Sequence, residues 1–400
     1  MALIDLAQAL SLIDRHRLAQ RQETTPIAQA HGRTLAEDVI AKVSRPPLSV
    51  SAMDGYAVRL CDTTYAGTAL HLIGEAPAGT PFPGKVGKGE AVRIFTGGAV
   101  PDGADHIIIQ EDMQQDGTVC RTTRNYTKPH NIRAAGLDFQ AGDLLLRAGV
   151  RLGAAQLSTL AAANLACVKT YTPLRVGILA NGDELQAPGS TLQPGQIVNS
   201  NPIGLSALIR NWGGMAIDLG VARDSVDAIL SALDAAPDID IFVPVGGASV
   251  GAHDYMRTAF FQAGFTALFE NVAVRPGKPT WFAENGTQRV LGLPGNPASA
   301  FVCAHLFLAP LLGHEFITHG VSARLTHTIG ANGPRTHLMR ARACLTSEGA
   351  LTVTAKTDQD SSLLTPLLTA NALILRPPSA PASEAGETVE VLPLHPLYER

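Results

Sequence analysis

From Pro173 to about residue 318 the chain alternates short buried strands with helices, and this alternation admits few architectures. LRVGILA reads as a strand, Pro202 to Trp212 as a helix with proline in its first turn, and MAIDLGVA as a second strand. A helix capped by Asp224 or Ser225 runs to Ala236, and IDIFVPV is a third strand. A helix from His253 to Ala263 follows, and RVLGLPG leads into an apolar helix from Pro297 to Leu312. Strands and helices at this spacing are βαβ units, which build a mostly parallel sheet.

The flanks have another texture. An amphipathic helix from Leu6 to Arg21 opens the chain, with Leu6, Leu10 and Ile13 on one face and Asp5 able to cap it. Between Val43 and Arg133 short β-type runs (AVRIF, HIIIQ, TVCRTT) are broken by turn residues, and a helical run from Ala154 to Ala166 closes this half. From about Ser322 four short strands return: THLMRARACL, ALTVTAK, NALILR and TVEVLPL. The order is β-rich, α/β, β-rich.

Charged residues are only 16% of the chain, against about 25% in ordinary soluble domains, while 46% is hydrophobic, enough for several cores. A net charge of −4 without a polybasic run argues against nucleic-acid or membrane-surface binding. Five scattered cysteines without zinc spacing read as buried thiols in a reducing compartment, and the N-terminus lacks the pattern of a signal peptide. The longest apolar stretch, Ala298 to Leu312, is too short for a bilayer. A cytoplasmic protein is expected.

In open α/β sheets ligands bind beyond the carboxyl ends of the strands. After LRVGILA comes Asn181-Gly182-Asp183-Glu184, and after MAIDLGVA comes Arg223-Asp224. IDIFVPV is followed by the glycine-rich run Gly246 to Asp254, and RVLGL by Pro294-Gly295-Asn296-Pro297. The glycine-rich run enters a helix, so its amides can either converge on an anion or merely make a tight turn. Asp254 and Asp224 can each cap a helix or serve a site, one of Asp183 and Glu184 points outward, and Asp240, at the wrong end of its strand, is structural. Glu184, Asp224 and Asp254, without His or Cys nearby, suit a hard ion, so Mg²⁺ is preferred over zinc. Arg275-Pro276-Gly277-Lys278-Pro279 holds two cations in a rigid loop and suits phosphate or another oxyanion.

Near-misses fall away on inspection. Gly79 to Val86 imitates a P-loop but puts Val86 where Ser or Thr is needed. His314 and His319 miss the zinc-protease spacing, and neither GxGxxG after a strand nor GxSxG is present.

Seven motifs in order resemble the molybdopterin molybdotransferases, a gephyrin-like family, from about residue 5 to the C-terminus, the last domain more weakly. They are Ser51 to Ala57, Thr96-Gly97 before Pro101 to Asp105, Asn131 to Asp138, Gly182 to Leu185, Gly246 to Gly251, Pro276 to Pro279 and Gly292 to Pro297. The resemblance implies a Mg²⁺-dependent enzyme of molybdenum-cofactor biosynthesis that takes molybdate and adenylylated molybdopterin and releases AMP. It implies a multidomain α/β chain in four domains, forming an elongated homodimer. Domain I is residues 1–46 with 134–172, a helical linker; domain II is 47–133, a β-rich insert. Domain III is 173–318, a mostly parallel α/β domain of the molybdopterin-binding type, and domain IV is 319–400, β-barrel-like. By the same resemblance Glu184, Asp224 and Asp254 would take the acidic active-site and metal-binding roles, with the catalytic candidates Asp54 and Asp138 facing them from the second subunit. Thr96, Gly246, Gly247, Ser249, Pro294, Pro297 and Ser299 help hold the ligand, and Arg275, Lys278 and Pro279 match the oxyanion-binding loop. Arg335 and Ser361 align with residues that complete the pocket.

The chain departs from the family pattern at Asn181, where Thr is common, at Pro244-Val245, a Ser/Thr-rich pair in the family, and at Asn271, commonly Lys. A molybdopterin-adenylylating enzyme is a possible partner. The alternative reading is a non-catalytic or specialised paralogue that binds molybdopterin as a scaffold protein.

Overall fold

The computed structural model describes residues 3–246, 254–314, 316 and 320–394. The chain divides into two compact units, residues 1–21 with 172–400, and residues 22–171.

The first unit opens with α1 (Leu6–Arg15), started by a capping box in which the Asp5 carboxylate accepts from the Gln8 amide. The helix stops six residues before the position its periodicity predicts. Its next turn would need the His16 carbonyl, and the Arg289 Nε takes that carbonyl at 2.6 Å. Ala9 and Ile13 are fully buried in the α/β core, so this helix belongs to the first unit's packing.

The sheet contains β1 (Arg175–Asn181), β2 (Met215–Ala222), β3 (Ile241–Val245), β4 (Thr266–Phe269), β6 (Trp281–Asn285) and β7 (Gln288–Gly292). A separate two-residue strand, β5 (Val274–Arg275), lies between β4 and β6 in the chain. The order across the sheet is β2-β1-β3-β7-β6-β4. Pairs from β2 to β7 are parallel, as the βαβ pattern predicts, and α2 (Asn201–Asn211), α3 (Val226–Asp234) and α4 (Tyr255–Gln262) make crossovers. The antiparallel margin β6–β4 was not legible, because its short runs carry no periodicity that separates strand from turn. Pro244 sits inside a central strand, yet the β3–β7 ladder pauses beyond Phe242 and resumes only at a bridge between Val245 and Leu293. The Pro244 carbonyl still accepts from the Leu293 amide, and the pause is the one ladder bond that this proline, with no amide facing β7, does not make. Cores fill both faces, one around Ile178, Val243 and Leu291, the other around Leu179, Phe242 and Trp281.

The apolar run from Pro297 is continuous as predicted but not uniform. α5 (Pro297–Cys303) passes into a π-helical stretch, Ala304–Leu308, before a last α-turn, Ala309–Leu311. Pro310 brings no amide to this segment, and a widened turn is one way to pass it.

The C-terminal strands are β8 (Val321–Leu325), β9 (Thr336–Leu345), β10 (Leu351–Ala355), β11 (Ala372–Arg376) and β12 (Thr388–Pro393). Their order β9-β10-β8-β12-β11 returns to β9 through the β9–β11 pairing, which closes a five-stranded barrel. β8 is an addition to the four strands read from sequence. β5 pairs in parallel with β9, Val274 opposite Thr336 and Arg275 opposite His337, and so stitches the α/β part to the barrel.

The second unit carries a six-stranded sheet in the order 106–109, 55–58, 90–94, 69–76, 119–122, 113–116, with smaller pairs such as Gln22–Pro26 against Cys167–Tyr171. Its helix, Ala154–Ala162, ends before the predicted Ala166. All five cysteines are free as expected, but only Cys120 and Cys303 are buried; Cys61, Cys167 and Cys344 are exposed, since small thiols are tolerated at surfaces. Among the described residues no helix is long and apolar enough to cross a membrane.

Gly292 shows how tightly the sheet is built. A Cβ there would lie 1.8 Å from Nε1 of the buried Trp281. Gly292→Ala is expected to destabilise the first unit by about 2–3 kcal/mol, read as a lower urea midpoint; an unchanged midpoint would refute this packing.

Candidate active site

The carboxyl ends of β1, β3 and β7 surround a cavity of about 730 Å³. Asn181 and Glu184 follow from β1, Val245 and Gly246 from β3, and Pro294 to Pro297 from β7. This cavity lies where the strand-end rule places a ligand. Gly182 makes it possible for Glu184 to reach there. Its φ of +149° suits glycine, and a Cβ at this position would meet the Glu184 carboxylate oxygens at 2.6 and 2.8 Å. The carboxylate therefore lies folded over Gly182, and Asp183 is the member of the pair that does not line the cavity. Gly246, with φ of +96°, approaches Gly295 so closely that a Cβ on Gly295 would touch the Gly246 Cα at 3.4 Å.

A second cavity of about 360 Å³ shares Pro279, Pro294 and Asn296 with the first. Arg275, Lys278, Ser299, Arg335 and Ser361 line it, so the basic loop and the barrel residues do come together. The loop rests on a firm floor. The Thr280 hydroxyl donates to the Gly277 carbonyl at 2.7 Å and lies 3.2 Å from the Sγ of buried Cys303, and a Cβ on Gly277 would sit 2.1 Å from that sulfur. Burial pushes the Cys303 thiol up to about 12, so it is an uncharged packing group.

His337 lies beneath this region, opposite Arg275 in the strand pairing. Burial first, and then Arg275, Arg335, Arg340 and Arg376, bring its imidazole down to about 4. Burial is the main reason this histidine is neutral, and the four guanidinium groups around it add a positive potential that suits an anion.

The barrel also supplies a residue that motif reading missed. Arg340 is 1% exposed, and its guanidinium donates to the carbonyls of Leu363 (2.9 Å), Asp360 (2.9 Å) and Asp358 (3.3 Å). Gln359 completes the clamp, accepting from the Arg340 amide at 3.0 Å and donating to the Arg340 carbonyl at 2.9 Å. The clamped loop presents Ser361, whose hydroxyl accepts from Asn296 Nδ2 at 2.9 Å and whose carbonyl accepts from the Ala298 amide at 3.0 Å at the start of α5. The available signal was strand alternation, which puts Arg340 on the face of buried Leu338 and leaves a charge where an apolar residue is expected.

The three acids predicted to hold metal are not gathered. Among the described residues no three His, Cys, Asp or Glu side chains form a metal-holding group. Asp224 is exposed after β2 and lines neither cavity. Asp254 caps α4, accepting from the Arg257 amide at 3.1 Å, and pairs with Arg257 Nε at 3.1 Å. Burial raises its carboxyl above the usual range against the opposing pull of Arg257. Arg257 in turn donates to the Pro279 carbonyl at 3.1 Å, which links Asp254 to the basic loop. Ser225, not Asp224, caps α3. Asp240 is structural as expected, accepting from the Arg175 amide at 2.7 Å and from Arg21 at 3.2 Å. Gly247 and Ser249 lie outside the described residues.

In the second unit Asp54 accepts from the Thr96 amide at 2.7 Å and hydroxyl at 2.8 Å, the amide first and then the hydroxyl holding its carboxyl below the usual range. Asp138 pairs with Arg45 at 3.3 Å, with both side chains exposed.

Three family models cover the chain: MoeA N-terminal region (domain I and II) over residues 4–164, probable molybdopterin binding domain over 177–314, and MoeA C-terminal region (domain IV) over 322–394. A molybdopterin molybdenumtransferase of Haemophilus influenzae is 33% identical over 99% of this chain and 100% of that protein. One from Bacillus subtilis is 33% identical over 90% of this chain and 87% of its own. The molybdopterin biosynthesis moeA protein of Pyrococcus horikoshii superposes with a TM-score of 0.84 at 29% identity, covering 99% of this chain and all of that one.

Two outcomes test the site. Because His337 is neutral in the fold, the unfolded chain takes up a proton first below its ordinary value of 6.5. The contribution is complete above that pH and is lost as pH falls toward about 4. The melting temperature of wild type should therefore fall more than that of His337→Gln across this window; parallel curves would refute it. Arg340→Met leaves loop carbonyls without donors and should cost about 2 kcal/mol in urea unfolding.

Proposed function

Because this chain belongs to the MoeA family of molybdopterin molybdenumtransferases, we propose that it inserts molybdenum from molybdate into adenylylated molybdopterin and releases AMP. The observation that supports this most directly is the pairing of the two cavities: a carboxylate-edged one at the strand ends adjoins a smaller one edged by Arg275, Lys278 and Arg335. A substrate with a phosphoanhydride and an incoming tetrahedral oxyanion need such a division. The basic cavity receives the anion, and the larger one, with apolar Leu185, Ile197 and Val198 among its walls, receives the organic part.

Breaking a phosphoanhydride develops charge on the departing phosphate oxygen. Lys278 and Arg275 sit on a loop whose floor does not yield, so they stabilise that charge without reorganising. Arg335 donates to the Val274 carbonyl at 3.2 Å and is fixed beside them. Ser299 and Ser361 offer hydroxyl groups at the same wall.

Mg²⁺ is assigned as the metal. The donor set is oxygen-only, and a small cation that keeps waters and substrate phosphates in its shell does not require a ready-made cage of three protein carboxylates. Glu184, which lines the larger cavity, and Asp224, which stands outside it at the end of the neighbouring strand β2, would hold it, whereas Asp254 already balances Arg257. When bound it supplies neutralisation of phosphate charge. Asp54, Thr96 and Asp138, in the other unit, are assigned to the cleft of a homodimer. No observation among the described residues favours a scaffold without catalysis.

AMP release from adenylylated molybdopterin with molybdate and Mg²⁺ tests the reading; no release by the intact protein would sink it. Glu184→Gln should lower that release about 100-fold or more while light scattering still shows a dimer.

A further inference from the structure

Resting on the transferase reading, we propose that Asn181 is a positioning residue for Asp224: its carboxamide bridges two successive carbonyls just before that carboxylate and fixes where it starts. Asn181 ends β1, is 7% exposed and lines the larger cavity. The β1–β2 ladder finishes at the pair Asn181 and Ala222. At that point the Asn181 Nδ2 donates to the Ala222 carbonyl at 3.3 Å and to the Arg223 carbonyl at 3.2 Å. A primary amide carries two N–H bonds on one nitrogen, so it can serve both acceptors; a hydroxyl has one proton and cannot.

The far side of Asp224 is tied as well. The Arg223 carbonyl also accepts from the Ser225 amide at 2.7 Å, and Ser225 Oγ accepts from the Ala228 amide at 3.3 Å as the cap of α3. Asp224 therefore stands between two anchored neighbours while its own side chain is exposed. Such a tie is needed here because the β1–β2 register slips between Ile178 and Ala180, where Gly220 takes a φ of +81°. A bulge this close to a strand end weakens the ladder that would otherwise place the next residue.

Asn181→Leu keeps the shape and removes the donors. Expected results are an AMP-release kcat about tenfold lower with little change in KM, and about tenfold faster amide hydrogen exchange confined to residues 222–228. In an Asp224→Asn background the same change should add no further loss of kcat, because the effect passes through Asp224. Unaltered exchange in that segment, or losses that multiply in the double variant, would overturn the proposal. If wild type releases no AMP the transferase reading fails, and the exchange measurement alone still decides the role of Asn181. Should Asn181→Leu not fold, Asn181→Thr, with a single donor, gives the same comparison at partial amplitude.

Discussion

Strands that run in the same direction must be joined by crossovers, and the larger cavity of this chain follows from that constraint. With β2, β1, β3 and β7 parallel, each strand delivers its following loop to one edge. Glu184, Gly246 and Pro294 are far apart in sequence and meet there without any motif joining them. The opposite edge receives the residues that precede strands, and there Asp240 spends its carboxylate on Arg175 and Arg21. Two of the scarce acids are thus separated by position: Asp240, structural, at one end of the strands, and Glu184, open to a cavity, at the other.

The second requirement is a positive wall that stays put. It comes from two directions, the basic loop after β5 and the barrel strand β9, joined by only two paired residues on each. Groups that do not face the cavity set its shape. Thr280 and Cys303 lie under the loop, and the Arg340 guanidinium is consumed by loop carbonyls instead of facing a ligand. The exposed cations can therefore act on a ligand because other groups have already absorbed the cost of holding the backbone.

The sequence showed the strand ends and the basic loop clearly, because hydrophobic runs and turn residues are local signals. It also showed the order of the three textures. It did not show where α1 stops, since that depends on Arg289 reaching a carbonyl more than 270 positions earlier in the chain. Nor did it separate Asp254, a cap tied to Arg257, from Glu184, an acid open to a cavity; both are carboxylates after a strand, and only tertiary partners distinguish them. Arg340 and Gln359 were missed for the same reason. Their importance lies in which carbonyls they satisfy, and a carbonyl carries no letter in the sequence.

Finally, the first helix has a consequence for how the molecule is assembled. Ile4 exchanges backbone hydrogen bonds with Asn271 and Ala273, and His16 meets Glu284 at 2.9 Å. These partners leave the ribosome long after the helix does. The unit of residues 22–171 is contiguous and can complete itself during synthesis, whereas the first unit must hold its opening segment in reserve until most of the chain has emerged. The half that holds the two cavities is therefore the late-folding half, and the helix at the very beginning of the chain is among the last pieces to find its place.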